Sequence, residues 1–409
     1  MKVAVWDDDT KAAGEWKEQI DAVLDADDVV VNAPTRKDIE GELQMLHQRR
    51  RDYIETRHPA ELVGQSELDE TDILIVDNDL FELHAFSDFS AETVAARARV
   101  YTTCGYIVIL NLNRDVDFDL SLLEHPHSKA DLHINDRFIA DEGLWLKCPK
   151  EHGTFRPWHW PLLPIAVEQY KIRVEEMRQV LNGNGKNTPV LDYFGFDEVV
   201  KTRLSRTARA FLHPNKNSET VSFLDFVQGN VSAVELKDGE EIIRRGDEAK
   251  MARICAHGLS KWLAGMVLGP QDNLIDLPHL VERLPFLIPD DQQDSVAFWN
   301  SCATLQDAGA EQLVEDISAR RFQRHRWFDR PVFWWHKFDT EDNRGKLLVA
   351  TDVNPEELVF CEDSSAFHAS ADCVSFVAAH HSTSDDRFVR WLKEELGEIK
   401  FGPQSRLAM

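Results

Sequence analysis

Short apolar runs alternate along the first third of the chain with longer segments whose apolar positions recur at helical spacing. Val3–Trp6, Val29–Val31, Ile73–Val76, Ile107–Leu110 and Leu132–Ile134 read as buried strands, each bounded by polar or turn-forming residues. Between the first two, Ala13, Trp16, Ile20, Val23 and Leu24 form a helical stripe, with Asp9 or Thr10 where an N-cap belongs. Ile39, Leu43, Leu46, Tyr53 and Ile54 give a second stripe, and Ser90 precedes a third at Ala91, Val94, Ala95 and Ala98. Strands alternating with helix-length segments predict an α/β fold with a parallel sheet and crossover helices.

The stretch Arg156-Pro157-Trp158-His159-Trp160-Pro161-Leu162-Leu163-Pro164 interrupts both periodicities, since proline continues neither a helix nor a central strand. It sets the expected organisation: residues 1–155 as the α/β domain, 156–164 as a linker, 165–325 as a mainly helical region and 326–409 as an α+β region. In the third of these, Ile165–Leu181, Phe196–Leu212, Asp247–Leu268, Asp290–Ala303 and Gly309–Phe322 read as helices. The glycine-rich Asn182-Gly183-Asn184-Gly185 lacks the Lys-Ser/Thr of a phosphate loop and reads as a connector. Further on, Pro331–Trp335, Leu347–Ala350, Leu358–Cys361 and Val374–Ala379 read as strands, followed by a last helix around Arg387–Leu396.

Composition narrows the function classes. The 409 residues carry 46 Lys+Arg against 72 Asp+Glu, a formal net charge of −26, with 43% hydrophobic residues. Such a chain folds into two or three domains, and its charge opposes wholesale binding to nucleic acid or anionic membranes. The acidity is concentrated: residues 1–150 hold 16 basic and 32 acidic side chains, whereas residues 151–330 hold 22 and 26. Val3–Trp6 is followed at once by Asp7, Asp8 and Asp9, unlike a signal peptide, and no run reaches the length of a membrane span. Cys104, Cys148, Cys255, Cys302, Cys361 and Cys373 are scattered without a Cys-x-x-Cys pair, which suits inert core thiols in a reducing cytoplasm.

The acidic residues are placed for chemistry. Asp7, Asp8 and Asp9 end the first expected strand, and Asp77 ends the third in Asp72-Ile73-Leu74-Ile75-Val76-Asp77-Asn78-Asp79. In a parallel sheet the C-terminal strand ends share one edge, so these carboxylates would converge and favour a hard divalent cation such as Mg²⁺. With those residues in that order, residues 1–150 resemble the receiver domain of two-component response regulators. The resemblance implies a flavodoxin-like, doubly wound, five-stranded sheet. Asp7 and Asp8 would hold Mg²⁺, Asp77 would be the phosphoacceptor and a metal ligand, and the carbonyl of Asp79 would complete the set. It further implies a cytoplasmic signal-transduction role, a protein partner and a sensor kinase as phosphodonor. The sequence departs from the family at two places: the switch hydroxyl falls on Asn111, and the lysine after the fifth strand falls on or near Asn135. The 69 positions between Asp8 and Asp77 also leave room for the extra length of the Ile39–Ile54 helix.

Three other constellations stand beside this one. Asp225, with Glu235-Leu236-Lys237 ten positions on, has the spacing of a restriction-endonuclease-like nuclease, in which two carboxylates on adjacent strands bind metal and a lysine positions water. Arg203, Arg206 and Arg209 fall at three-residue steps along Phe196–Leu212, and Arg320, Arg321, Arg324 and Arg326 form a second basic group. Either could bind phosphates or nucleic acid, although the overall charge does not favour it, and either could pair with the acidic first domain. Lastly, Cys361-Glu362-Asp363-Ser364-Ser365 and His380-His381-Ser382-Thr383-Ser384-Asp385-Asp386-Arg387 gather polar residues at expected strand ends. Trp327, Phe328, Phe333, Trp334 and Trp335 are by their size core candidates.

Overall fold

The computed structural model describes residues 1–24, 29–55, 64–78, 80, 90–111, 118–119, 128–145, 161–232, 236–304, 309–349, 358–361, 364–376, 387–390 and 401–402. Strands β1 (Lys2–Trp6), β2 (Val30–Asn32), β3 (Ile73–Asp77), β4 (Tyr106–Asn111) and β5 (Leu132–Asn135) form one sheet in the order β2-β1-β3-β4-β5. Every pair is parallel. This is the doubly wound arrangement that the alternation of strands and helices requires. Entry into β4 is tight: a Cβ on Gly105 would lie 2.4 Å from the carbonyl oxygen of Asp72, so only glycine fits.

Both faces of the sheet are covered, as parallel sheets demand. Val3, Val5, Ile73, Ile75, Val108, Leu110, Leu132 and Ile134 pack under Ala13, Trp16 and Ile20 of α1 (Thr10–Val23). Ala4, Trp6, Leu74, Val76, Ile107 and Ile109 pack under α2 (Arg36–Glu55) and α3 (Ala91–Tyr101). Helix α4 (Leu163–Asn182) serves both layers: Leu163 and Val167 close the first core, whereas Tyr170, Met177 and Leu181 enter the second.

The second core runs on without a break into the helical region. Val190, Phe194, Phe223, Phe226, Met251, Leu259 and Trp262 belong to the same buried cluster as Trp6 and Leu74. Its scaffold is α5 (Glu198–Arg203), α6 (Arg206–Leu212), α7 (Phe223–Ser232), α8 (Leu236–Arg245) and α9 (Glu248–Lys261). The last continues as a π-helical stretch, Trp262–Leu268, up to Gly269. A third core lies beyond, around Leu277, Trp299, Phe333 and Phe367, between α10 (Leu277–Arg283), α11 (Val296–Ala303), the ribbon β6 (Leu274–Asp276) with β7 (Val332–Trp334), and a C-terminal sheet. That sheet has the order β9-β8-β11-β10, from β8 (Leu358–Cys361), β9 (Ala366–Ala369), β10 (Val374–Phe376) and β11 (Arg387–Arg390). Among the described residues, no helix is long and apolar enough to cross a membrane.

Several elements differ from the sequence expectation. Phe196–Leu212 is two helices rather than one, because Ser205 accepts from the backbone N–H of Ala208 and starts α6 afresh. Gly309–Phe322 holds only the 3₁₀ turns Ala310–Gln312 and Ser318–Arg320. Asp290–Ala303 starts with a 3₁₀ turn, Asp290–Gln292, and becomes α-helical only after the Ser295 cap. Leu347 lies in a helix, Glu341–Val349, and Arg387 begins a strand instead of a helix. Trp327, Phe328, Phe333 and Trp334 are buried, as their size suggested. Trp158 and Trp160 lie outside the described residues.

Candidate metal centre

The C-terminal ends of β1 and β3 lie side by side, with Trp6 opposite Val76, so the residues that follow converge at one edge of the sheet. Asp7, Asp8 and Asp77 each offer a carboxylate oxygen there, all within 4.8 Å of one another. Asp7 and Asp77 are each only 4% exposed. Burial, together with the neighbouring charges of Asp77 and Asp8, pushes the Asp7 carboxyl up to about 7, against the pull of the Asp9 backbone N–H that it accepts at 2.8 Å. Asp9 takes no part: its side chain accepts from the Lys11 N–H at 2.8 Å and caps α1. Three carboxylates held this close repel one another, and a small divalent cation with a preference for oxygen would relieve that repulsion. The donor set therefore fits a divalent cation that prefers oxygen ligands.

The remaining expected members of the site fare unequally. Asp79 lies outside the described residues. Asn111 and Asn135 end adjacent strands and sit opposite each other in register, at the same edge as Asp77. Asn135 is buried, and both positions carry amides where the resemblance calls for a hydroxyl and a lysine. Lys129 and Lys261, the lysines flanking the start of β5, are engaged with backbone carbonyls. Lys129 Nζ donates to the Asn230 carbonyl at 2.9 Å, and Lys261 Nζ to the carbonyls of Ser128 at 3.3 Å and Ala130 at 3.4 Å.

The other constellations come apart. Asp225 is in the first turn of α7, ion-paired with Lys216 and bonded to Ser222, while Lys237 is in α8 and Glu235 lies outside the described residues. The adjacent strands required of the nuclease alternative are consecutive helices, which removes its premise. Most members of the basic groups have partners within the chain. Arg209 turns back to donate to the carbonyls of Lys201 and Thr202, at 3.2 and 2.7 Å, and Arg203 lies 3.9 Å from Asp339. Arg320 pairs with Glu315 at 2.8 Å, and Arg324 pairs with Glu176 at 3.3 Å while stacking over Tyr193. Arg203, Arg206 and Arg326 are exposed, and Arg321 is partly exposed. The first half of the C-terminal polar cluster contributes Ser364, hydrogen-bonded to His368 at 3.0 Å, and residues 380–386 lie outside the described residues.

Sequence reasoning missed a buried polar seam between the sheet and the helical region. Arg99 of α3 is ion-paired with Asp131, which His257 of α9 also meets at 2.8 Å. Burial of Asp131 is outweighed by Arg99 and His257, so its carboxyl sits at about 2, whereas burial and Arg99 hold the imidazole down to about 4. At the outer end of the seam, Tyr101 donates to Asp238 at 2.7 Å, Arg50 pairs with the same carboxylate at 3.1 Å, and Tyr53 donates to Asp247 at 3.1 Å. Lys250 donates to the Val100 carbonyl at 3.0 Å. An arginine set among the alanines of α3 was the one hint available in the sequence. Nearby, Ser128, His133 and Glu92 form a close trio, but Ser128 and Glu92 both meet the same nitrogen, Nε2 of His133, at 3.0 and 3.1 Å. A nucleophile–base–acid relay needs its partners on opposite ring nitrogens, so the trio is not one.

Compared with models of known protein families, with curated proteins and with solved structures, the chain matches none.

Proposed function

We propose that the chain is a regulatory protein whose receiver-like lobe binds Mg²⁺ at Asp7, Asp8 and Asp77 and acts through its fixed docking on the helical lobe rather than by phosphoryl relay. The observation that carries this reading is the convergence of three carboxylates at the C-terminal edge of a sheet ordered β2-β1-β3-β4-β5. Amides stand at Asn111 and Asn135, where the resemblance calls for the hydroxyl and the lysine that grip a phosphoryl group on the acceptor aspartate. The continuous core and the charged seam favour docking: separating the lobes would expose Arg99, Asp131 and His257, a cost that a single surface modification does not offset. The output is a protein partner, and buried free thiols suit a cytoplasmic setting.

The test is intact-protein mass after incubation with Mg²⁺ and acetyl phosphate, beside Asp77→Ala. The reading expects no phosphoryl gain in either protein. A gain in the wild type that Asp77→Ala abolishes would make the lobe a working receiver and direct the search to a sensor kinase.

A further inference from the structure

We propose, resting on the docked arrangement inferred above, that the buried seam between the sheet and the helical region is a proton-gated clasp, in which a proton taken up by Lys129 locally loosens the docking of the two lobes. Lys129 lies just before β5, and its Nζ crosses the boundary to donate to the Asn230 carbonyl of α7 at 2.9 Å. Among the described residues this is its one hydrogen bond, and it makes no ion pair. An ammonium carries three donors, so the charged form leaves two of them without an acceptor in a buried place, whereas a neutral amine is served by the one carbonyl. The groups around it are mostly basic: Lys261 and His257 from α9, Arg99 from α3 and His133 from β5, against the carboxylates of Glu92 and Asp131. Both carboxylates are already engaged, Asp131 by Arg99 and His257, Glu92 by His133 and Ser128. Lys261 Nζ holds the carbonyls of Ser128 and Ala130, on either side of Lys129 in the chain, so a proton on Lys129 sets a second ammonium close to the first.

The direction of the effect follows from burial and charge. Burial, then the charges of Lys261 and Arg99, hold the Lys129 amine down to about 7 from an ordinary 10.5. Opening the seam to water returns the group to its ordinary range, so the open form binds the extra proton between pH 7 and 10.5. Opening is therefore favoured as pH falls through that window and levels off below it. Lys261 and His257, held by burial down to about 8 and about 4, act in the same direction.

The experiment is amide hydrogen exchange of the full chain at pH 9 and pH 7, read by mass spectrometry with labelling times corrected for the intrinsic pH dependence, in wild type, Lys129→Met and Lys129→Arg. Peptides spanning 128–135 and 223–232 report on the seam, and 73–77 on the central strand. From pH 9 to pH 7, seam protection in the wild type should fall by at least about tenfold more than in Lys129→Met. Lys129→Met, uncharged, should stay protected; Lys129→Arg, charged throughout, should be weakly protected at both pH values; and 73–77 should not respond. An equal pH dependence in wild type and Lys129→Met would overturn the proposal. So would a Lys129→Met seam that exchanges fast at both pH values, because the bond to Asn230 rather than the proton would then hold the lobes. Fast seam exchange in the wild type at pH 9 would overturn the docked arrangement and the clasp with it. Carbon-13 titration of ε-labelled lysines in the wild type does not depend on how the variants fold: a midpoint at about 7 supports the clasp, and none below about 8 overturns it.

Discussion

Replacing Asp7 by Asn tests whether the acidic edge stores repulsion. Asparagine keeps an Oδ1 to accept the Asp9 N–H, bonded at 2.8 Å in the native chain, so the substitution removes charge and spares that contact. Burial and the Asp77 and Asp8 charges carry the Asp7 carboxyl from 3.8 to about 7, the opposite of the usual carboxylate shift. The folded chain thus keeps a proton that the unfolded chain has lost. Stability from this group is complete below pH 4 and falls as pH rises through 7. At about 1.4 kcal/mol per unit the full cost approaches about 4 kcal/mol, and solvent screening at the open edge reduces it to about 2 kcal/mol. In EDTA, urea unfolding should find Asp7→Asn more stable than wild type by about 2 kcal/mol at pH 8, with the gap below about 1 kcal/mol at pH 5. Adding Mg²⁺ should close the gap at pH 8 by stabilising the wild type alone. A variant less stable than wild type in EDTA at pH 8 would refute the reasoning.

The seam gives two further predictions. Asp131→Asn leaves the buried Arg99 without its counter-charge and should cost about 3–5 kcal/mol in urea unfolding, whereas a loss under about 1 kcal/mol would show that the seam is not structural. Lys129 is held down to about 7 by burial and by the charges of Lys261 and Arg99, so the unfolded chain binds the extra proton between pH 7 and 10.5 and stability rises across that window. Lys129→Met should therefore stabilise more at pH 6 than at pH 9, by about 1–4 kcal/mol, and an equal effect at both would contradict the buried-ammonium reading.

The sheet was legible because its strands are unbroken apolar runs at an even rhythm, and the order of Asp7, Asp8 and Asp77 along them places the acidic edge from the sequence alone. The cap of the first helix was narrowed to Asp9 or Thr10, and the fold assigns it to Asp9. The failures have a common physical cause. Periodicity in Phe196–Leu212 survives a break, since Val200, Leu204, Ala208 and Leu212 are buried on both sides of Ser205. In 309–322 the apolar residues recur at helical spacing, but the chain there is held by isolated turns, with Val314 N–H bonded to the Leu287 carbonyl. The seam is invisible to patterning altogether: Arg99, Asp131 and His257 are distant in sequence, and only the tertiary fold makes their burial tolerable.

The central claim is that Asp7, Asp8 and Asp77 together bind a divalent cation. Calorimetric titration of the chelator-treated protein with Mg²⁺, beside Asp77→Asn, tests it most directly. The account predicts one saturable site in the wild type that the variant lacks. No binding at millimolar Mg²⁺, or equal binding by the two proteins, would contradict it.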